Sequence, residues 1–288
     1  MNNNYNWAFF GTDEFSIAVL DELKKNNYIP SLVVTTEDKP KGRKLLLTPP
    51  PVKEWALKEN IKCIQLKSLK NDESFSSIKS SSELDFDFFI VASYGKIIPQ
   101  NILDIPKYKT LNVHPSLLPK LRGPSPIQSA ILSENETGVS IMRLDSEMDH
   151  GPLLAQEKVN IEWPPYADEL EKTCAQIGGK MLAEIIPKWM VGEINESEQD
   201  HSNATYCKKI EKKDAQIDLS DSPEINLKKI RAFNIWPGAF YFEKDGDKEI
   251  RIIVKKAHID NNELVIDRII PEGKKEMDYK DYLRGKRN

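Results

Sequence analysis

Short apolar runs alternate with helically spaced segments through the first half of the chain. Trp7–Phe10 is an unbroken apolar run closed by Gly11-Thr12, the pattern of a buried strand. Thr12 or Asp13 is then placed to cap a helix carrying Ile17, Leu20 and Leu23 on one face. Leu32–Thr35 predicts a second strand, and the polar stretch Glu37–Lys44, with Pro40 and Gly42, predicts a loop. Pro51–Lys58 predicts a short helix and Lys62–Gln65 a third strand. Serine-rich Asn71–Glu83 predicts a helix followed by a loop. Phe86–Ala92 and Thr110–Val113 predict the fourth and fifth strands. Continuous apolar strands alternating with helices imply βαβ units and a mostly parallel, Rossmann-like sheet covered on both faces.

The texture then changes. Gly138–Leu144 and Leu153–Ile161 predict two strands pairing antiparallel at the sheet edge. From Ala167 to Trp189 a long helix is expected, with Leu170, Cys174, Ile177, Met181 and Ile185 roughly in phase. Val191–Ala204 is polar and aperiodic, and predicts a linker. Beyond it lie short apolar strands with turn signals: Ala239–Phe242, a turn at Asp245-Gly246, Ile250–Lys255, Asn261-Asn262, then Glu263–Ile270. That pattern predicts a small β-barrel of OB type. The expected organisation is an α/β catalytic domain over 1–190, a linker over 191–205 and an OB-like domain over 206–288.

Composition adds limits. The 288 residues are 39% hydrophobic and 30% charged, as in a well-charged globular protein. Cys63, Cys174 and Cys207 are far apart, with neither metal-ligand spacing nor a disulfide framework. The polar start Met1–Asn6 lacks the basic and apolar regions of a secretory signal, and no run approaches a membrane span. A reducing, cytoplasmic setting and no membrane partner follow as expectations. The net charge of −4 is uneven: from Tyr206 onward there are 19 Lys and Arg against 16 Asp and Glu, while the preceding residues hold 22 against 29. A mildly basic tail permits nucleic-acid contact, although ordinary solvated surface is the better reading of the charge alone.

The densest chemistry lies in Asn112–Gln128, NVHPSLLPKLRGPSPIQ. His114 follows directly on a predicted parallel strand, and ligands of such sheets bind beyond the carboxyl ends of strands. Side chains alternate along a strand, so Asn112 and His114 point to the same side and can converge on one ligand atom. Pro115, Pro119 and Pro124 hold the loop in an extended path, and a helix is expected to start near Pro126. A lone strand-end histidine is more often packed than catalytic. Here Asn112 stands in register beside it, the chain has only four histidines, and Asp149 lies in a short loop between strands that could bring it to the same sheet end. A Ser-His-Asp hydrolase is a weaker reading, because Ser116 sits in a proline-rich loop rather than on a Gly-x-Ser-x-Gly elbow. A metal site is weaker still, since His114, Asp149 and His150 have no ligand spacing.

The run resembles the signature of the 10-formyltetrahydrofolate-dependent formyltransferases, with Asp149 matching that family's acid. Other segments resemble the methionyl-tRNA formyltransferases in particular: Phe9–Ser16, Asp38–Arg43 with Leu47–Lys53, Ser93–Pro99, Arg231–Ala239, and Pro271–Met277 with Leu283–Gly285. The match spans nearly the whole chain. Departures are Asp13 in place of a proline, Leu121 in place of an aromatic residue, and Ile235 in place of a proline.

The resemblance implies transfer of a formyl group from N10 of 10-formyltetrahydrofolate, as co-substrate and with no metal, to the α-amine of initiator methionyl-tRNA. Such an amine has a pKa of about 7.7–8.0 and must lose its proton to attack. Asn112 would stabilise the oxyanion, His114 would donate a hydrogen bond and shuttle protons, and Asp149 would orient His114 or accept the amine proton. Ser116, Leu117, Leu118 and Pro119, with Tyr94 and Gly95, would line the folate. Arg43 and Lys41 would meet the tRNA, and Lys208 and Lys209, with Lys212 and Lys213, would track its phosphates. Nothing demands more than a monomer. Rivals are a formyltransferase acting on a sugar amine or other small amine, a formyl-folate hydrolase, and a non-catalytic tRNA- or folate-binding protein.

Overall fold

The computed structural model describes residues 5–41, 45–246 and 248–286. In chain order the first elements are β1 (Trp7–Gly11), α1 (Glu14–Lys25), β2 (Leu32–Thr35), β3 (Lys39–Lys41), β4 (Leu46–Thr48), α2 (Pro51–Lys58), β5 (Lys62–Gln65), α3 (Asp72–Lys79), β6 (Phe88–Ala92), α4 (Gln100–Leu103) and β7 (Thr110–His114). There follow α5 (Pro126–Ser133), β8 (Gly138–Arg143), β9 (Leu153–Lys158) and α6 (Ala167–Met190). The C-terminal elements are α7 (Pro223–Ala232), β10 (Phe240–Asp245), β11 (Lys248–Asp260), β12 (Glu263–Pro271), β13 (Met277–Asp278) and α8 (Tyr279–Lys286). They divide into two compact units: 1–124 with 137–159 and 171–206, and 125–136 with 160–170 and 207–288.

The first unit is built on a seven-stranded sheet of order β5-β2-β1-β6-β7-β8-β9. β5, β2, β1, β6 and β7 are parallel; β8 is antiparallel to both β7 and β9. The expected parallel sheet with an antiparallel edge is thus observed. Each of β1, β2, β6 and β7 is buried along its whole length, which is why it carries continuous apolar sequence. Asp13 caps α1: its Oδ1 accepts from the Ser16 N–H at 3.2 Å. The buried face of α1 runs through Phe15, Val19, Leu20 and Leu23, one position round from the expected stripe through Ile17.

The two faces of β7 meet different neighbours. Gly178 of α6 presses on the Val113 face, where an added Cβ would stand 2.4 Å from Val113 Cγ1. Asn112 and His114 therefore point to the opposite face, the one on which Phe89 and Val91 join a core with Phe10, Tyr94 and Ile102.

Two expectations need correction. The polar stretch after β2 is a two-stranded antiparallel hairpin, β3 with β4, rather than a plain loop; Arg43 itself lies outside the described residues. The segment 191–205 is more than a connection. Ser197 and Leu153 exchange backbone hydrogen bonds at 2.9 and 2.8 Å, and Gln199 is buried.

The second unit holds the expected small, barrel-like β region as a four-stranded antiparallel sheet, β10-β11-β12-β13. Its core gathers Ile217, Leu227, Ile230, Tyr241, Ile252, Val254 and Ile269. The helices α7 and α8 pack on this β-rich sheet.

Candidate active site

β7 delivers Asn112 and His114 to one face near its carboxyl end, 8% and 4% exposed. The Asn112 amide has no hydrogen-bond partner among the described residues. Its oxygen and nitrogen are not among the polar atoms shut off from solvent, so a ligand reaching them would take the place of water.

The His114 ring is held on both sides. Nε2 lies 3.0 Å from the Leu121 carbonyl oxygen. A carbonyl only accepts, so Nε2 carries a hydrogen and Nδ1 is the nitrogen that gains or loses a proton. Nδ1 faces Asp149 Oδ1 at 3.6 Å. That is ion-pair range rather than a hydrogen bond. The other oxygen, Oδ2, accepts from the Gly123 N–H at 2.8 Å. Leu121 and Gly123 thus hold the two partners through one tripeptide. Leu121 is buried with φ +58°, a conformation a branched residue keeps only when its surroundings fix it. The Thr205 hydroxyl helps, accepting from the Leu121 N–H at 2.9 Å.

Asp149 arrives by an unexpected route. Its loop leaves β8 after Arg143, which pairs with Leu111, whereas His114 pairs with Ser140. At about 3.3 Å per residue, the loop starts roughly 10 Å down the ladder from His114 and folds back over the sheet face. Asp149 adopts φ +52° in that loop, a region aspartate tolerates better than most residues.

The run Ser116–Pro119 is fastened internally. Ser140 Oγ donates to the Ser116 carbonyl (2.6 Å) and accepts from the Leu118 N–H (3.1 Å). Gln156 Nε2 donates to the Leu118 carbonyl and to Ser140 Oγ, each at 2.8 Å. Ser116 and Leu118 are buried, while Leu117 and Pro119 are half-buried. These residues form a rigid wall whose polar backbone groups are largely engaged.

The Tyr94 ring is 2% exposed, lies in the core against Phe10 and does not line an open surface. Its carbonyl accepts from the Thr12 hydroxyl at 2.9 Å. Gly95 differs: it has φ +74°, and a Cβ added there would meet no atom within 4 Å. The backbone beyond β6, next to Asn112 through the Val91 register, therefore borders open space. Lys96 turns away and donates to the carbonyls of Leu66 and Lys67; burial lowers its pKa.

Lys41, Lys208 and Lys209 are exposed, as are Lys212 and Lys213, and Lys213 is paired with Glu211 at 2.7 Å. No group of three or more His, Cys, Asp or Glu among the described residues is arranged to hold a metal.

A formyl transferase family profile matches residues 5–186, and a formyl transferase C-terminal domain profile matches 209–264. A methionyl-tRNA formyltransferase of Sulfurihydrogenibium sp. (strain YO3AOP1) is 40% identical over 249 residues, covering 86% of this chain and 79% of the relative. The chain belongs to the methionyl-tRNA formyltransferase family. A Bacillus licheniformis member is 34% identical, with 96% of this chain and 94% of the relative covered. The solved N-formyltransferase of Helicobacter canadensis, in complex with folinic acid and dTDP-3-aminofucose, shares the fold at a TM-score of 0.61 and 18% identity, over 91% of this chain and 98% of that one. Formyl-group transfer is the family's chemistry, and this chain is an enzyme of that class.

Sequence reasoning missed the residues that fasten the site: Ser140, Gln156, Gln199, Thr205 and the buried guanidinium of Arg122. Ser140 and Gln156 lie on predicted strands, and the polarity of Ser140 at a buried position was a usable signal, whereas exposed Gln156 gave none. Gln199 and Thr205 lie in aperiodic sequence that carries none.

Proposed function

We propose that this enzyme transfers the formyl group of 10-formyltetrahydrofolate to the α-amino group of initiator methionyl-tRNA, in the cytoplasm and as a monomer. The observation that carries the reading is the partnerless Asn112 amide beside a histidine whose titrating nitrogen faces Asp149. The residues fit the folate: Asn112 offers a free donor, and Gly95 leaves its backbone open to a flat ligand. The folate of the Helicobacter canadensis complex supports the donor class, and the names of the relatives support the acceptor. Bound 10-formyltetrahydrofolate supplies the formyl carbon, with N10 as the leaving nitrogen.

The chain's residues then act in named roles. Asn112 donates its N–H to the formyl oxygen as negative charge develops there. His114, protonated on both nitrogens, adds a charged donor and passes its Nδ1 proton towards the leaving nitrogen. Asp149 holds the ring and takes up the proton that the attacking amine releases. Leu117 and Pro119, the half-buried edges of the wall, bound the folate with Gly95, while Ser116, Leu118 and Tyr94 hold their shape from behind. Arg43 and Lys41 approach the tRNA, and Lys208 and Lys209 the phosphates of the same molecule.

The test incubates the protein with 10-formyltetrahydrofolate and charged initiator tRNA and follows formylmethionine and free formate. Formylmethionine in step with donor loss is expected, and formate alone makes the protein a hydrolase. Asn112→Ala should lower turnover by about 100- to 1,000-fold, the usual cost of one oxyanion donor; near-full turnover in that variant removes the assignment.

A further inference from the structure

Arg122 is 2% exposed, and no carboxylate contacts its guanidinium among the described residues. Nε and Nη2 donate to Gln199 Oε1 at 3.1 and 2.6 Å, Nη2 also to His201 Nδ1 at 2.8 Å, and Nη1 reaches the Tyr206 hydroxyl at 3.4 Å. A buried cation satisfied by neutral acceptors is expensive to keep unless its geometry serves something.

Gln199 shows what is served. It is 4% exposed, and its whole hydrogen-bonding capacity is used. Its oxygen takes two donors from Arg122. Its amide nitrogen donates to the Asp149 carbonyl at 3.0 Å and to the Gly151 carbonyl at 2.7 Å. Arg122 only donates and the two carbonyls only accept, so the amide has one possible orientation. The turn it grips is a tight one, since a Cβ on Gly151 would stand 2.0 Å from the Arg143 carbonyl oxygen. Asp149 is held there in a left-handed backbone conformation.

Arg122 also lies between Leu121 and Gly123, the two residues that bond to His114 and to the Asp149 side chain. The bonds close a ring. β7 presents His114, Leu121 anchors the ring's far nitrogen, Gly123 fixes the Asp149 carboxylate, and Arg122 reaches through Gln199 to fix the Asp149 backbone. We infer that Gln199, oriented by Arg122, is a positioning residue that holds the folded-back Asp149 loop against His114. This rests on the reading of Asp149 as part of the reacting machinery.

Gln199→Leu strands the Arg122 guanidinium and two carbonyls together and tests folding as much as positioning. Gln199→Glu is sharper. It keeps both acceptor contacts to Arg122 but turns a carboxylate oxygen, in place of two N–H donors, towards the carbonyls of Asp149 and Gly151. The experiment measures kcat, KM for 10-formyltetrahydrofolate and the unfolding temperature for Gln199→Glu, Asp149→Asn and the double variant, with the unfolding temperature of Gln199→Leu for comparison.

Gln199→Glu should lower the unfolding temperature less than Gln199→Leu, because Arg122 keeps its acceptors, hold the folate KM within about threefold and lose about 100-fold in kcat, the cost of displacing a reacting group by roughly 1 Å. In the Asp149→Asn background the same change should cost under about threefold, because residues acting through one group are not additive. A kcat for Gln199→Glu within threefold of the parent overturns the inference. So does an equal loss in both backgrounds, which marks a structural role. Full turnover in Asp149→Asn alone strikes at the site reading itself, whatever Gln199→Glu does.

Discussion

Asp149→Asn separates the charge of the acid from its geometry. The substitution is nearly isosteric, and the amide oxygen can still accept from the Gly123 N–H, now at 2.8 Å from Asp149 Oδ2. The amide nitrogen then replaces Oδ1 opposite His114 Nδ1. At the observed 3.6 Å, the attraction lost between a carboxylate and a positive charge on the ring is about 4–5 kcal/mol at an effective dielectric constant of about 20. Since about 1.4 kcal/mol corresponds to a tenfold change in rate, the ceiling on the effect is about three orders of magnitude in kcat. Both side chains are nearly buried, at 5% and 14% exposed, so solvent screening reduces that figure less than at a surface. Steady-state assays at saturating folate and tRNA should give a kcat at least 100-fold below the parent. Asp149→Ala also removes the Gly123 acceptor and should cost about 1 kcal/mol of stability besides. A kcat for Asp149→Asn above a third of the parent's refutes the electrostatic role, because neither shape nor the Gly123 bond has been disturbed.

Arg43→Leu should raise the KM for charged tRNA while folate binding, followed by fluorescence titration, stays constant; equal effects on both count against tRNA recognition through this segment. Acceptor binding should weaken steeply between low and moderate salt, as expected when exposed lysines such as Lys41, Lys208 and Lys209 displace counterions, and a flat response removes that role. Gly138→Ala places a Cβ 2.3 Å from the Glu157 carbonyl oxygen and 2.5 Å from Leu117 Cδ2. The β8–β9 ladder must shift, and chemical denaturation should report a loss of about 1–3 kcal/mol. Burial raises the Cys63 thiol to about 11. Only the thiolate is nucleophilic, so alkylation at pH 8 should be slow and should accelerate as pH rises towards that value; rapid labelling at pH 8 contradicts the burial.

Legibility in the sequence followed burial. Strands buried on both faces, β1, β2, β6 and β7, carry apolar runs that announce themselves, and Asn112 with His114 stood out because polar residues closed such a run. The β3–β4 hairpin was hidden because its Lys39-Pro40-Lys41 strand is wholly exposed and has no apolar face to alternate. Asp149 was found as a residue, but its path was not. Register alone puts its loop at the far end of β7, and the return depends on contacts from Gly123 and Gln199 that no local pattern encodes. Gln199 was invisible for the same reason: its partners are at Arg122, Asp149 and Gly151, and its neighbours have no period.

The order of these contacts along the chain bears on synthesis. Asn112 and His114 emerge from the ribosome ahead of nearly everything that fixes them. Leu121 and Gly123 follow closely, but Ser140, Asp149, Gln156, Gln199 and Thr205 come later. A nascent chain that ends before residue 205 holds the side chains proposed to react without a complete frame around them. Domains generally fold as units, from the N-terminus onward. Here the first unit is not whole until Tyr206, so the candidate site gains its geometry only when most of the polypeptide has been made.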